Sequence, residues 1–64
     1  MEISIYTKDG THFNGSCDSY LLNEEKNSIT LYKHKKSSSG NITLKIPIAY
    51  FRLSELTALY FYED

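Results

Sequence analysis

A chain of 64 residues with one cysteine, seven basic and eight acidic side chains has no intrachain disulfide and no overall charge bias towards a polyanionic partner. A domain this small buries only about 60% of the surface its unfolded chain exposes, so packing against another chain is an expected source of extra stability. No apolar run approaches the ~20 residues needed to span a bilayer, and Met1-Glu2-Ile3-Ser4 lacks the basic start and apolar segment of a leader, so a cytoplasmic chain without membrane contact is expected.

The first predicted strand runs from Glu2 to Lys8, with Ile3 and Ile5 on one face and Ser4, Tyr6 and Lys8 on the other. Asp9-Gly10 closes it as a two-residue hairpin signal; the competing turn, Asn14-Gly15, would leave less complete alternation around it. The second strand extends from Thr11 to about Leu22, with Phe13, Gly15, Cys17 and Leu21 inward and Tyr20 outward. Gly15, in the middle of that long run, is the expected bend.

Asn23 to Asn27 is a polar turn, and Ser28 to Lys35 a third strand with Ile29 and Leu31 inward and Thr30, Tyr32 and His34 outward. A Ser-rich connector through Gly40 leads to a fourth strand, Asn41 to Ile48, with Ile42, Leu44, Ile46 and in one alignment Ile48 on a shared face. Pro47 cannot donate to a ladder and belongs at a bend or an edge. The chain continues extended to Arg52, makes one short helical turn around Ser54, and ends in a strand from Thr57 to Glu63 with Leu59 and Phe61 inward and Tyr60 and Tyr62 outward. The expectation is an all-β, five-stranded antiparallel small barrel over residues 1–64, one domain with a short helical turn before the last strand. Ile3, Ile5, Phe13, Cys17, Ile29, Leu31, Ile42, Leu44, Leu59 and Phe61 are its expected interior.

Gly10, Phe13 and Gly15, an Asn27 followed by Ile29 and Leu31, and the ending Ile46-Pro47-Ile48 before a final apolar strand resemble the layout of small Sm-like barrels, within the wider group of Src-homology-type barrels. The chain departs from that family at Leu21, where an acidic residue is expected, and in lacking an Arg-Gly pair after the fourth strand. The resemblance implies a nucleic-acid role only at Asn27.

No residue pattern points to catalysis. Cys17 is expected inward, where a free thiol behaves as a small apolar group, and His12 should face the opposite side of the same strand. His12, Cys17 and His34 are too scattered to suggest a metal, and no cofactor is expected. Outward tyrosines can anchor an interface, since the ring buries area while the hydroxyl keeps a polar partner. Tyr50, Arg52, Tyr60 and Tyr62 are the interface candidates, on the two strands taken to form open edges. Lys33, Lys35 and Lys36 with Tyr32 and Asn27 form the alternative, a nucleic-acid surface in which cations meet phosphates and an aromatic ring stacks a base. Residues 26–45 carry five lysines and no acid, whereas residues 53–64 carry three acids and no base. The expected function is therefore a non-enzymatic assembly module, forming a homo-oligomer or docking on a larger protein, with nucleic-acid binding as the alternative. Nothing selects a small-molecule ligand.

Overall fold

Alternation in Glu2–Thr7 (β1) holds at Ile3 and Ile5, which are fully buried, and at Glu2 and Tyr6, which are exposed, but Ser4 on the outer face is also buried, its hydroxyl donating to Asn14 Oδ1. In the computed structural model, which describes residues 1–63, β1 is the middle strand of a three-stranded antiparallel sheet. Its neighbours are His12–Ser16 (β2) and Leu56–Tyr62 (β6). In a second antiparallel sheet, Ser28–Lys36 (β4) lies between Ser19–Asn23 (β3) and Thr43–Arg52 (β5). A 3-10 turn at Leu53–Glu55 leads from β5 into β6, close to where the sequence places a helical turn. Asp64, the last residue of the expected 1–64 domain and of the acidic C-terminal group, lies outside the described residues.

The all-β class holds, but the five-stranded closed barrel does not: the described residues form six strands in two three-stranded sheets. The extra strand arises where the expected run from Thr11 to Leu22 changes sheets. Cys17 donates its backbone N–H to Met1 O at 2.9 Å, in the first sheet, and Asp18 donates to Tyr32 O at 2.8 Å, in the second. Two consecutive amides committed to different sheets break the ladder between them. The 3-10 turn makes the return crossing: Leu53 N–H donates to Asn27 O, beside β4, and Glu55 O accepts from Lys8, beside β1. With β1 and β4 central, β2, β3, β5 and β6 each keep one side without a strand neighbour among the described residues.

The same crossing shifts the alternation by one residue. Tyr20 pairs with Leu31 and Leu22 with Ile29, on the core side of the second sheet, while Leu21 pairs with Thr30 on its outer face and is 53% exposed. Leu21 inward and Tyr20 outward are thus both reversed. Gly15 is not the bend either. It sits in regular register opposite Ile3, and a Cβ there would lie 3.2 Å from Phe13 Cζ, so the missing side chain makes room for the Phe13 ring.

The fully buried core is Ile3, Ile5, Cys17, Ile29 and Leu31, flanked by Phe13, Phe51, Leu56 and Leu59 among others. Two members of the expected interior, Ile42 and Leu44, are exposed, and Phe61 lies at its rim. The cause is length. β4 and β5 together form a long hairpin, and only its inner half, at Ile29, Leu31, Ala49 and Phe51, contributes to the apolar core. The principal extents of 43 × 28 × 16 Å reflect this projecting arm.

The first hairpin turns at Asp9-Gly10 as expected, but through three residues rather than two. Thr7 N–H donates to Thr11 O, Gly10 N–H donates to Thr7 O, and Gly10 takes φ +90°, a conformation that glycine adopts without steric cost. Asp9 organises this turn, its carboxylate accepting from the Thr7 hydroxyl and from Thr11 N–H. Those donors, the Thr7 hydroxyl first, favour the charged form and lower the Asp9 pKa from 3.8 to about 2. A carboxylate with a depressed folded pKa adds stability that is present above 3.8 and is lost as pH falls through about 2. Asp9→Ala is therefore expected to be less stable than the parent at neutral pH, with the gap closing between pH 4 and pH 2 in urea titrations. A gap that stays constant over that range would refute this role.

Candidate interaction surface

The arm acquires its character from one irregularity in pairing. Leu31 lies opposite Ala49, but Tyr32 lies opposite Pro47, so Ile48 is an extra residue in β5. Such a bulge shifts the alternation of the bulged strand. Beyond it, Ile46 pairs with Lys33 and Leu44 with Lys35, on the face that carries Ile29 and Leu31 nearer the core. Without the extra residue, Lys35 would stand directly opposite Lys45, a destabilising like-charge pair. The result is a row of Ile42, Leu44 and Ile46, with Ile48 at its base, between 41% and 59% exposed and lying along an open strand edge.

A second uncovered apolar patch lies between β3 and β6. Tyr20 and Phe61, each on the inner side of its own sheet, stack across the gap with ring centroids 4.4 Å apart, and both stay partly exposed. Leu22, two residues along β3, is half-exposed on the same side.

The four interface candidates are divided between two faces. Tyr60 and Tyr62 project from the outer face of the first sheet, where they join Tyr6 and His12. Tyr6 stacks on His12 with centroids 4.2 Å apart and meets Tyr60 edge-on at 6.1 Å, and Tyr60 lies 6.5 Å from Tyr62. Tyr50 and Arg52 are on the outer face of β5, beside Thr30 and Ser28. The aromatic row on the first sheet was not legible as a cluster, because His12 reads as an isolated polar residue until cross-strand pairing sets it against Tyr6.

The nucleic-acid candidates also separate. Lys33 and Lys35 share the apolar side of the arm, and Lys33 Nζ donates to Ser16 Oγ at 3.0 Å. Tyr32 and Lys36 are on the opposite side, with His34 and with Lys45, whose ammonium lies 6.0 Å from the Tyr32 ring centroid. Asn27 is distant in role. It takes φ 54°, a left-handed conformation that Asn tolerates better than most side chains, and its carbonyl receives the Leu53 amide. That accounts for Asn27 by backbone geometry alone.

Ser19 Oγ and His34 Nε2 are 2.8 Å apart, a pairing that invites comparison with a nucleophile and its base. Asp18, however, accepts from the backbone N–H of His34 at 2.7 Å and not from its ring, so it neither orients the imidazole nor selects its tautomer. That hydrogen bond, helped by the nearby charge of Lys33, lowers the Asp18 pKa. The geometry ties the β2–β3 crossing to β4. Among the described residues no group of three His, Cys, Asp or Glu side chains could hold a metal ion, and no helix is long and apolar enough to cross a membrane.

The chain matches no protein-family model and no curated protein, and its fold matches no solved structure, at a significant level.

Proposed function

We propose that this chain is a non-enzymatic protein-interaction module that self-associates through its open strand edges, with the outward tyrosines flanking the contact. The observation that carries this reading is the apolar row Ile42, Leu44, Ile46 and Ile48, left uncovered on an edge strand whose backbone has a free hydrogen-bonding side. An exposed, apolar edge is a template for pairing with another chain.

Magnitudes set what such a contact needs. Fully burying an aliphatic side chain contributes about 1.5–3 kcal/mol, so covering the exposed half of four gives on the order of 3–6 kcal/mol. Association costs an estimated 4–15 kcal/mol in lost translational and rotational freedom. The row by itself is insufficient, and backbone pairing along β5 together with a second apolar surface must supply the remainder. A standard interface takes about 800 Å² from each partner, roughly one-sixth of the 4780 Å² this chain exposes.

The expected result is a solution mass above the 7.4 kDa of one chain by light scattering, rising with concentration. A single-chain mass maintained at millimolar concentration would overturn the proposal.

One observation favours a second reading, binding of single-stranded nucleic acid. Tyr32, His34, Lys36 and Lys45 share a face of the arm that combines cations with an aromatic ring. Replacing Lys36 and Lys45 by Ala is then expected to weaken oligonucleotide binding and flatten its salt dependence, because two phosphate contacts are lost. Unchanged affinity at low salt would remove this reading.

A further inference from the structure

We infer that the arm is a docking surface for an anionic lipid bilayer, with Ile42, Leu44 and Ile46 against the acyl boundary and the lysines of the arm among the headgroups. This goes beyond the self-association proposed above and does not rest on it, since lipid and a second copy are rival occupants of one row. It also departs from the expectation of no membrane contact. The lack of a long apolar helix among the described residues bears on crossing a bilayer and not on lying against one.

Three observations select lipid as the occupant. First, Leu44 stands opposite Lys35 and Ile46 opposite Lys33, so one face of the arm carries an exposed aliphatic row beside a lysine row. A lysine stem lies along apolar surface while its ammonium stays in a polar layer, and the boundary between acyl chains and headgroups offers both side by side. Second, the charge surrounds the arm. Lys36 and Lys45 are on the opposite face, and residues 26–45 hold five lysines and no acid, whereas the rest of the chain holds all eight acids against two bases. Asp18 lies near Lys33 at the base of the arm, which leaves Lys35, Lys36 and Lys45 towards the tip. An anionic plane attracts this end and repels the other, so the chain approaches arm first. Third, the outer end of the row has its backbone satisfied. Ile42 N–H donates to Ser37 Oγ at 3.3 Å, and Ile42 O accepts from Ser37 N–H at 2.8 Å. Ile42 can therefore approach the acyl boundary without an unpaired peptide group. The open side of β5 needs water for its other amides, which holds the arm at headgroup depth.

The test is sedimentation of the full chain with vesicles at low salt, either pure phosphatidylcholine or an equal mixture of phosphatidylcholine and phosphatidylglycerol. The expected result is binding to the mixture and at least about tenfold weaker binding to phosphatidylcholine alone. Lys35→Gln with Lys36→Gln should weaken binding by about 25-fold, from about fivefold per lysine near an anionic surface. Leu44→Ser with Ile46→Ser should weaken it by about tenfold or more. Leu21→Ser, at a similarly exposed leucine outside the arm, should leave it unchanged. Circular dichroism verifies that each variant is folded. Should the apolar pair unfold the chain, Ile42→Trp gives an independent reading. The sequence has no other Trp, so its emission should shift to the blue on the anionic vesicles and be quenched by brominated acyl chains.

Equal binding to both kinds of vesicle, full binding by the lysine variant, or Trp emission unmoved by lipid overturns the docking. If the chain stays in the supernatant with both vesicles while its mass in solution exceeds 7.4 kDa, the row belongs to a second copy and self-association stands. If it stays there but binds a single-stranded oligonucleotide, lipid docking is overturned and the arm is a nucleic-acid surface. Vesicle binding by a chain that keeps a single-chain mass upholds lipid docking and removes self-association.

Discussion

Leu31→Ala is expected to remove much of the stability of this chain, whereas Leu21→Ala should cost less than about 1 kcal/mol. Leu31 is fully buried among Ile3, Ile5, Cys17 and Ile29. Truncating a buried leucine costs about 2–5 kcal/mol, the transfer free energy of the lost atoms plus that of the cavity they leave. A domain of this length has a total stability of roughly 3–10 kcal/mol, from about 0.05–0.15 kcal/mol per residue. The loss is therefore a large fraction of the whole, and the melting temperature should fall by at least about 8 °C, since 1 kcal/mol is worth 4–8 °C at this size. Leu21 makes the comparison informative because simple alternation places it in the interior, whereas the crossing at Cys17–Asp18 turns it outward. Urea midpoints of the two variants measure the difference. Equal losses at both positions would mean that the alternation runs unbroken from β2 into β3.

Gly15→Val should destabilise the fold by about 1–3 kcal/mol through overpacking, and Gly15→Ala by much less. The Cβ of either residue meets the end of the Phe13 ring, at 3.2 Å from Cζ and 3.4 Å from Cε1. Phe13 is only partly buried and its ring is tilted against Phe51 with centroids 5.6 Å apart, so it can yield a few tenths of an ångström to a methyl group. It cannot yield to two more carbons without leaving Phe51. The two positions are therefore coupled. Phe13→Leu, which shortens the side chain over Gly15, is expected to recover part of the loss in the double variant, giving a coupling of at least about 0.5 kcal/mol. Strict additivity would show that the cost of valine arises elsewhere.

Much of the arm's exposure is legible in the residues themselves. On one face β4 reads Ile29, Leu31, Lys33, Lys35, and a face that changes from aliphatic to lysine has left the core. Whatever pairs with Lys33 and Lys35 shares that fate, so Ile46 and Leu44 across from them cannot be interior. The neighbours of those lysines depend on pairing, however, and the bulge at Ile48 decides it. Aromatic side chains behaved likewise. Tyr60 and Tyr62 were legible as outward, but their association with Tyr6 and His12 follows from β1 lying between β2 and β6.

Sequence alone determined the all-β class, the position of the turn at Asp9-Gly10 and five buried side chains, because period-two alternation and a turn-favouring glycine are local properties. Tertiary structure alone decided where the chain changes sheets, that the strands divide into two triplets, and which face of the arm is apolar. Each of those turns on a one-residue shift in backbone pairing. Such a shift reverses every side chain beyond it, yet it is set by which distant amide or carbonyl a strand meets and leaves no mark in composition.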